Sequence, residues 1–215
     1  MQAAVRANDL DQVIKLAQND QSVATKDEDA RTALHWSASS GSLEVLEWLL
    51  SQPGTLVNAQ DDAGWTPLMI AVSAGHVEIV VTLLNHGADA NISNENGQIP
   101  LHYHRGRVDI AELLLEYTKD VNTADVYGST PLMRAVGNYP NSDVLRMLLQ
   151  HGAALSDCDL QGNTALHLAL LEDQQAIAME LIQAGADLTA TNGANKSCLD
   201  LARATLKEVI RQKNT

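Results

Sequence analysis

The sequence predicts an all-α fold: a solenoid of about seven helix-turn-helix units with projecting β-hairpin loops and terminal caps. Three observations predict it. A four-residue phrase recurs along the chain, a pair of large aliphatic residues follows it at helical distance, and the core must be built without phenylalanine. The 215 residues contain no Phe, and the aromatic set is three Trp and four Tyr. Thin layers of Ala, Leu, Val and Ile are therefore expected in place of a core packed around large rings.

The phrase reads Thr32-Ala-Leu-His35, Thr66-Pro-Leu-Met69, Ile99-Pro-Leu-His102, Thr130-Pro-Leu-Met133, Thr164-Ala-Leu-His167 and Ser197-Cys-Leu-Asp200, at spacings of 34, 33, 31, 34 and 33. Aliphatic pairs follow at Leu49-Leu50, Leu83-Leu84, Leu114-Leu115, Leu148-Leu149 and Leu181-Ile182. Thr66 and Thr130 can cap a helix through the hydroxyl, and the proline behind each occupies the first helical position, where a missing N–H costs nothing. Gly64, Gly97, Gly128 and Gly162, in Asp- and Asn-rich stretches just upstream, read as turns that need positive φ. A turn at Gly41 or Gly75 leads into a second amphipathic helix such as Val77–Leu84, which Gly87 ends.

Period and phrase together resemble the ankyrin repeat. The resemblance implies a single repeat domain over 1–215: an N-terminal cap unit 1–26, repeats at about 27–60, 61–93, 94–124, 125–158 and 159–191, and a C-terminal cap unit 192–215. One unit cannot bury its apolar face alone, so neighbours must stack. The first unit has an abbreviated first helix. The last is expected to end in a polar, basic helix through Lys207, Arg211 and Lys213.

One unit is short. The phrase reaches its first leucine in 17 residues from Thr32, Thr66 and Thr164, but in 15 from Ile99 and in 18 from Thr130. The deficit lies between Leu101 and Gly106. Two missing helical residues would turn everything beyond by roughly 200°, so that first helix must end early. The insertion after Thr130 is expected in the turn 137–142.

The composition excludes several function classes. A net charge of -13 opposes nucleic-acid and anionic-membrane binding and favours a basic protein partner. The opening MQAAVRANDLDQVIKLAQND lacks the pattern of a secretory leader, and no apolar run is long enough to span a bilayer. Cys158 and Cys198 are too few for a disulfide framework and read as buried free thiols. No phosphate loop, nucleophile elbow, HExxH or calcium loop is present, so no enzyme activity, small-molecule substrate, cofactor or metal is expected. His35, His102 and His167 hold the fourth place of the phrase and should brace the loops by hydrogen bonds. His102 and His104 diverge on a helix and lack a third ligand.

The remaining function must lie on the loop tips and the exposed side of the first helices. Acids gather at the first two tips, with Glu28 and Asp29 beside Asp27, and Asp61 beside Asp62; later tips carry Glu95, Asp125 and Asp159, with Tyr127 also at a tip. Trp65 stands where other repeats have Arg31, Gln98, Ser129 and Asn163, and reads as an exposed anchor among steering charges. Trp36 shares its place with Ile70, Tyr103, Arg134, Leu168 and Leu201 and reads as part-buried. Arg134 is the exception in that series, and its charge implies exposure or a carboxylate partner.

The stretches "DEDARTALHWSASSG", "DDAGWTPLMIAVSAGHVEIV", "NENGQIPLHY" and "DLQGNTALHLA" are similar to the gankyrin-like family of proteasome non-ATPase subunits. That resemblance implies an assembly chaperone whose concave acidic face binds the C-terminal domain of a base ATPase subunit, monomeric when free, in cytoplasm and nucleus. Asp29, Arg31, Trp36, Asp61, Asp62 and Trp65 would inherit the contact role, with Glu28, Glu95, Tyr127 and Arg134 added from the surface reading. An LxCxE motif associated in animal members with the retinoblastoma protein is absent, because the sequence reads Leu168-Ala-Leu170-Leu-Glu172. The rival reading is an ankyrin-type adaptor or inhibitor of a kinase or other cell-cycle regulator, although those inhibitors have fewer units.

Overall fold

The computed structural model describes residues 1–18, 23–137 and 139–202; the basic segment expected at Lys207, Arg211 and Lys213 lies outside them. The chain forms two compact units, Met1–Lys119 and Asp120–Thr215.

In the first unit each phrase starts a helix and each following segment returns antiparallel to it. The elements are α1 (Gln2–Arg6), α2 (Leu10–Gln18), α3 (Ala33–Ser40), α4 (Leu43–Ser51), α5 (Pro67–Ala74), α6 (Val77–Asn85), a 3-10 turn (Pro100–Tyr103) and α7 (Val108–Leu115). The capping chemistry is as the sequence implies: Thr66 Oγ1 accepts the N–H of Met69 at 3.3 Å, with Pro67 next in line. First helices α1, α3, α5 and the 3-10 turn pack in one row, and α2, α4, α6 and α7 in a second row behind it. Leu34, Leu46, Leu49, Leu68, Met69, Ile79, Leu83, Leu101, Ile110 and Leu114 are fully buried between the rows. α1 is the abbreviated first helix of the cap unit, tied in where Ser42 Oγ donates to the Val5 carbonyl at 2.8 Å.

The short repeat ends its first helix after one turn. Arg105 (φ 49) and Gly106 (φ 72) reverse the chain in two consecutive left-handed steps. His104 holds the turn together, its Nδ1 accepting the N–H of Gly106 at 2.9 Å, and it is 1% exposed. The two-residue deletion thus replaces small apolar packing with a buried, hydrogen-bonded imidazole and leaves α7 intact. Arg107 extends the repair, reaching the Gly75 carbonyl at 3.3 Å while pairing with Asp109 at 2.7 Å.

The second unit contains α8 (Pro131–Val136), α9 (Ser142–Gln150), α10 (Ala165–Leu171), α11 (Gln175–Gln183) and α12 (Cys198–Leu201). α8, α10 and α12 pack side by side, with α9 and α11 against α8 and α10. The extra residue after Thr130 falls outside the helices, and Asn141 Oδ1 restarts the chain by accepting the N–H groups of Asp143 and Val144. Arg146 links α9 to α11 through Glu180 at 3.1 Å.

The projecting loops differ from two-stranded hairpins. Among the described residues the sole strand-type pairing is an isolated bridge between Thr191 and Ser197. Each tip is too short for a ladder and is closed instead by a side chain, described below. Gly64 shows why such tips need glycine: at φ +76 it lies so close to the next loop that a Cβ would meet the Glu95 nitrogen at 2.8 Å. No described helix is long and apolar enough to cross a membrane.

Candidate protein-binding site

An Asp or Asn stands five residues before every phrase, at Asp27, Asp61, Asn94, Asp125, Asp159 and Asn192, and its side chain builds the tip. Asp61 Oδ1 accepts the N–H groups of Ala63 at 3.0 Å and Trp65 at 2.9 Å, while the Asp61 N–H donates to the Trp65 carbonyl at 2.9 Å. The same three bonds recur at Asp27, Asn94, Asp125, Asp159 and Asn192. Side-chain acceptance from residues two and four ahead is local chemistry that Asp and Asn do best.

The second oxygen or nitrogen of this group needs a partner as well, and in three repeats it finds one nine residues on. Trp36 Nε1 donates to Asp27 Oδ2 at 2.7 Å, Asn94 Nδ2 donates to the Tyr103 hydroxyl at 2.8 Å, and Arg134 donates to Asp125 Oδ2 at 2.6 Å. Where that position is Ile70, Arg31 of the preceding repeat serves Asp61 at 3.0 Å. Where it is Leu168, Asn163 serves Asp159 at 3.2 Å. Arg134 is thus half-buried with a carboxylate partner, and its exceptional charge serves the loop.

This geometry corrects the reading of Asp61. Its side chain is 2% exposed and fully engaged, so it supports the tip and presents no charge to a partner. Trp65 is corrected too: it is half-buried, its ring tilted 44° against Tyr103 at a centroid distance of 4.5 Å. Trp36 is buried more deeply than expected, at 8% exposure, with the guanidinium groups of Arg6 and Arg31 over its ring at 4.1 and 5.2 Å. Burial works to raise the Asp27 pKa, but the bonds from Trp36, Arg31 and Asp29 prevail and hold it below the usual carboxylate value. Of the two thiols, Cys198 is buried and pushed up to about 11 by that burial, whereas Cys158 lies exposed at the base of a tip, against the expectation.

The histidines brace the loops. His35 Nδ1 accepts the Thr32 N–H at 3.1 Å, which places its proton on Nε2, facing the Trp65 carbonyl at 3.1 Å. His167 makes the matching contacts with Thr164 and the Lys196 carbonyl, and His102 Nδ1 accepts the Ile99 N–H. Among the described residues no three His, Cys, Asp or Glu side chains are grouped to hold a metal ion.

Burial lowers the His35 pKa from its ordinary 6.5, ahead of the opposing pull of the Trp65 carbonyl. The unfolded chain then takes up a proton that the folded chain resists, so stability is full above 6.5 and falls as pH drops below it. Thermal midpoints should drop as the pH falls below about 6.5, and His35→Gln should flatten that slope. Equal slopes in the two proteins would contradict the assignment.

What remains accessible in the first unit is a set of exposed acids beside a cleft. Glu28, Asp62 and Glu95 occupy the same register, one residue after the tip-building Asx, on three consecutive tips, and Asp29 adds a fourth exposed acid. The tips are tied together by bonds from the Asp62 N–H to the Asp29 carbonyl and from the Glu95 N–H to the Ala63 carbonyl, both 3.1 Å. Beside them lies a cleft of about 300 Å³, bounded by Arg31, Trp36, Trp65, Ile70, Ser39 and Ser73. The sequence places Ile70 in the series of Trp36 without singling it out, and Ser39 and Ser73 carry no motif of their own there. They mark the exposed side of α3 and α5 by their small or neutral character, the one signal that could have found them.

A repeated helical pair, an Asx-built tip and an exposed surface that varies from repeat to repeat agree with the comparison to known families. The family model "Ankyrin repeats (3 copies)" matches residues 1–94, 54–125, 78–159 and 105–192. The chain belongs to the ankyrin-repeat family. It is 34% identical over 190 residues to "Ankyrin repeat-containing protein C6C3.08" of Schizosaccharomyces pombe, covering 86% of this chain and 81% of that protein. It is also 34% identical over 191 residues to mouse "Palmitoyltransferase ZDHHC13", covering 87% of this chain and 31% of the enzyme. A shorter, stronger match of 50% over 64 residues links it to "26S proteasome non-ATPase regulatory subunit 10" of Dictyostelium discoideum, covering 30% of this chain and 28% of that subunit. The chain thus matches less than a third of the length of the latter two proteins. As an ankyrin-repeat chain it is a protein-binding module.

Proposed function

We propose that this ankyrin-repeat chain is a non-catalytic assembly chaperone of the 26S proteasome regulatory particle, whose first unit binds the C-terminal domain of a base ATPase subunit. The observation that carries the reading is the line of exposed acids, Glu28, Asp62 and Glu95, at one register of three consecutive tips beside the cleft of Arg31, Trp36 and Trp65. Such a surface suits a basic partner: the acids steer it in, and the half-buried Trp65 and Ile70 offer apolar contact once water is displaced. The similarity to a proteasome regulatory subunit supports the choice of partner. Binding would shield the ATPase domain from premature docking until the maturing particle competes for the same space. The free protein would be a monomer of cytoplasm and nucleus, without cofactor.

A second reading, a docking adaptor for another protein, is favoured by the longer similarity to a palmitoyltransferase. A pull-down with isolated base-ATPase C-terminal domains tests the first reading. One of them should be retained, more weakly as salt rises, and reversal of Asp62 and Glu95 to Lys should lower affinity about tenfold without changing the thermal midpoint. Retention of none of them would overturn it.

A further inference from the structure

The tip register that is acidic in the first unit turns apolar in the second. The residues that correspond to Glu28, Asp62 and Glu95 are Val126, Leu160 and Gly193, and the two with large side chains are exposed, at 51% and 71%. Tyr127 follows at 58%, and the Leu160 N–H donates to the Tyr127 carbonyl at 2.9 Å, so the two tips are adjacent. Behind the Leu160 tip runs an open groove of about 900 Å³, bounded by Cys158, Leu160, Gln161, Leu171 and Asn192, with Leu171 itself 53% exposed. Loop tips of a soluble protein seldom present large aliphatic side chains together without a partner.

The surroundings specify the partner. Glu172 and Asp173 follow Leu171 directly and are exposed, and Asp157 precedes Cys158; against these three acids the described residues of the two tips that bound the groove place one cation, Lys196. A groove with two exposed leucines, and with acids next to its lining residues in the chain, suits a segment with apolar anchors on one face and Lys or Arg on the flanks. An added strand would need unpaired backbone, but these tips already use theirs: Asp159 with Asn163, Leu160 with Tyr127, and Gly193 with Gln161. A helix, which satisfies its own backbone and docks by side chains, fits the groove instead.

We propose that the groove between Leu160 and Leu171 is a docking site for a basic amphipathic helix of a partner protein. This site is separate from the acidic face of the first unit and does not depend on the identity of the partner bound there.

The test uses the full chain and a synthetic Leu/Lys amphipathic helix of about 18 residues, five turns long. Two control peptides accompany it, a scramble of the same composition without a helical stripe and a Leu/Glu helix. Binding is read by anisotropy of labelled peptide and by the rate of Cys158 alkylation, Cys198 being buried and its thiol pushed up to about 11. The Leu/Lys helix should bind more tightly than either control and slow Cys158 alkylation severalfold. Leu160→Asn with Leu171→Asn should weaken it about tenfold, whereas Asp62→Asn with Glu95→Asn should change it less than twofold. Equal binding of the scramble, which would mean attraction by net charge alone, overturns the proposal. So does an unaffected double Leu variant, unchanged alkylation, or preference for the Leu/Glu helix. Because the ATPase domains are absent, failure here is distinct from failure of the chaperone reading.

Discussion

Asp61→Ala should lower the stability of the protein by about 2–3 kcal/mol, while Asp62→Ala, one residue on, should change it by less than about 0.5 kcal/mol. The two aspartates stand side by side in sequence and differ in everything the fold does with them. Asp61 gives one oxygen to the N–H groups of Ala63 and Trp65 and the other to the Arg31 guanidinium, in a side chain that is 2% exposed. Removing it strands two loop N–H groups and loosens the Trp65 carbonyl that His35 holds. Arg31 is 35% exposed and can turn to water, which keeps the loss below that of a fully buried pair. Asp62 contributes its backbone to the neighbouring tip and leaves its carboxylate to solvent. Thermal or urea unfolding of the two variants checks this. Similar midpoints would mean that Asp61 does not support the tip.

Arg134→Leu should cost about 2 kcal/mol, and Ser129→Asn should restore a good part of it. Arg134 is the charged partner of Asp125, whose side chain is fully buried, at a contact of 2.6 Å. With Leu in its place, one oxygen of a buried carboxylate loses the Arg134 guanidinium, while the other keeps the N–H groups of Tyr127 and Ser129. The protein already contains the alternative solution. In the repeat of Leu168, the residue matching Ser129 is Asn163, whose Nδ2 donates to Asp159 Oδ2 at 3.2 Å. Transplanting that asparagine supplies the missing donor from four residues along the tip. The double variant should therefore melt well above Arg134→Leu alone. A double variant no better than the single one would show that Arg134 acts by packing its stem rather than by serving Asp125.

Both expectations rest on a distinction that the repeat itself makes visible. A position occupied by Asp or Asn in six repeats, like that of Asp61, does the same local work in each, and is scaffold. A position that runs Glu28, Asp62, Glu95, Val126, Leu160 and Gly193 uses its backbone N–H to tie one tip to the next, as at Asp62, Glu95, Leu160 and Gly193, while its side chain does no common work and is free to face partners. Charge alone groups Asp61 with Asp62, and their places in the register separate them. The same comparison could not have placed Trp65. Its exposure depends on Tyr103, 38 residues further on, whose ring sits 4.5 Å away because the intervening repeat returns the chain to the neighbouring tip.

The sequence by itself determined the all-α repeat, the start of each first helix, the turn that ends it and the early stop of the helix at Leu101. These follow from short-range chemistry: a capping hydroxyl, a proline at the first helical position, a residue in the left-handed region, an apolar stripe at helical period. Tertiary structure decided which charges are structural and which are offered. Arg31 serves the tip of the following repeat, Arg134 serves the tip of its own, His104 is buried within the deletion turn, and Cys158 is left exposed beside a groove. The physical reason is that a carboxylate or a ring acquires its role from what the folded chain places beside it, within its own repeat or across the gap to the next. For Arg31 with Asp61 and for Trp65 with Tyr103 that neighbour is about one repeat away along the chain, beyond the reach of any local rule.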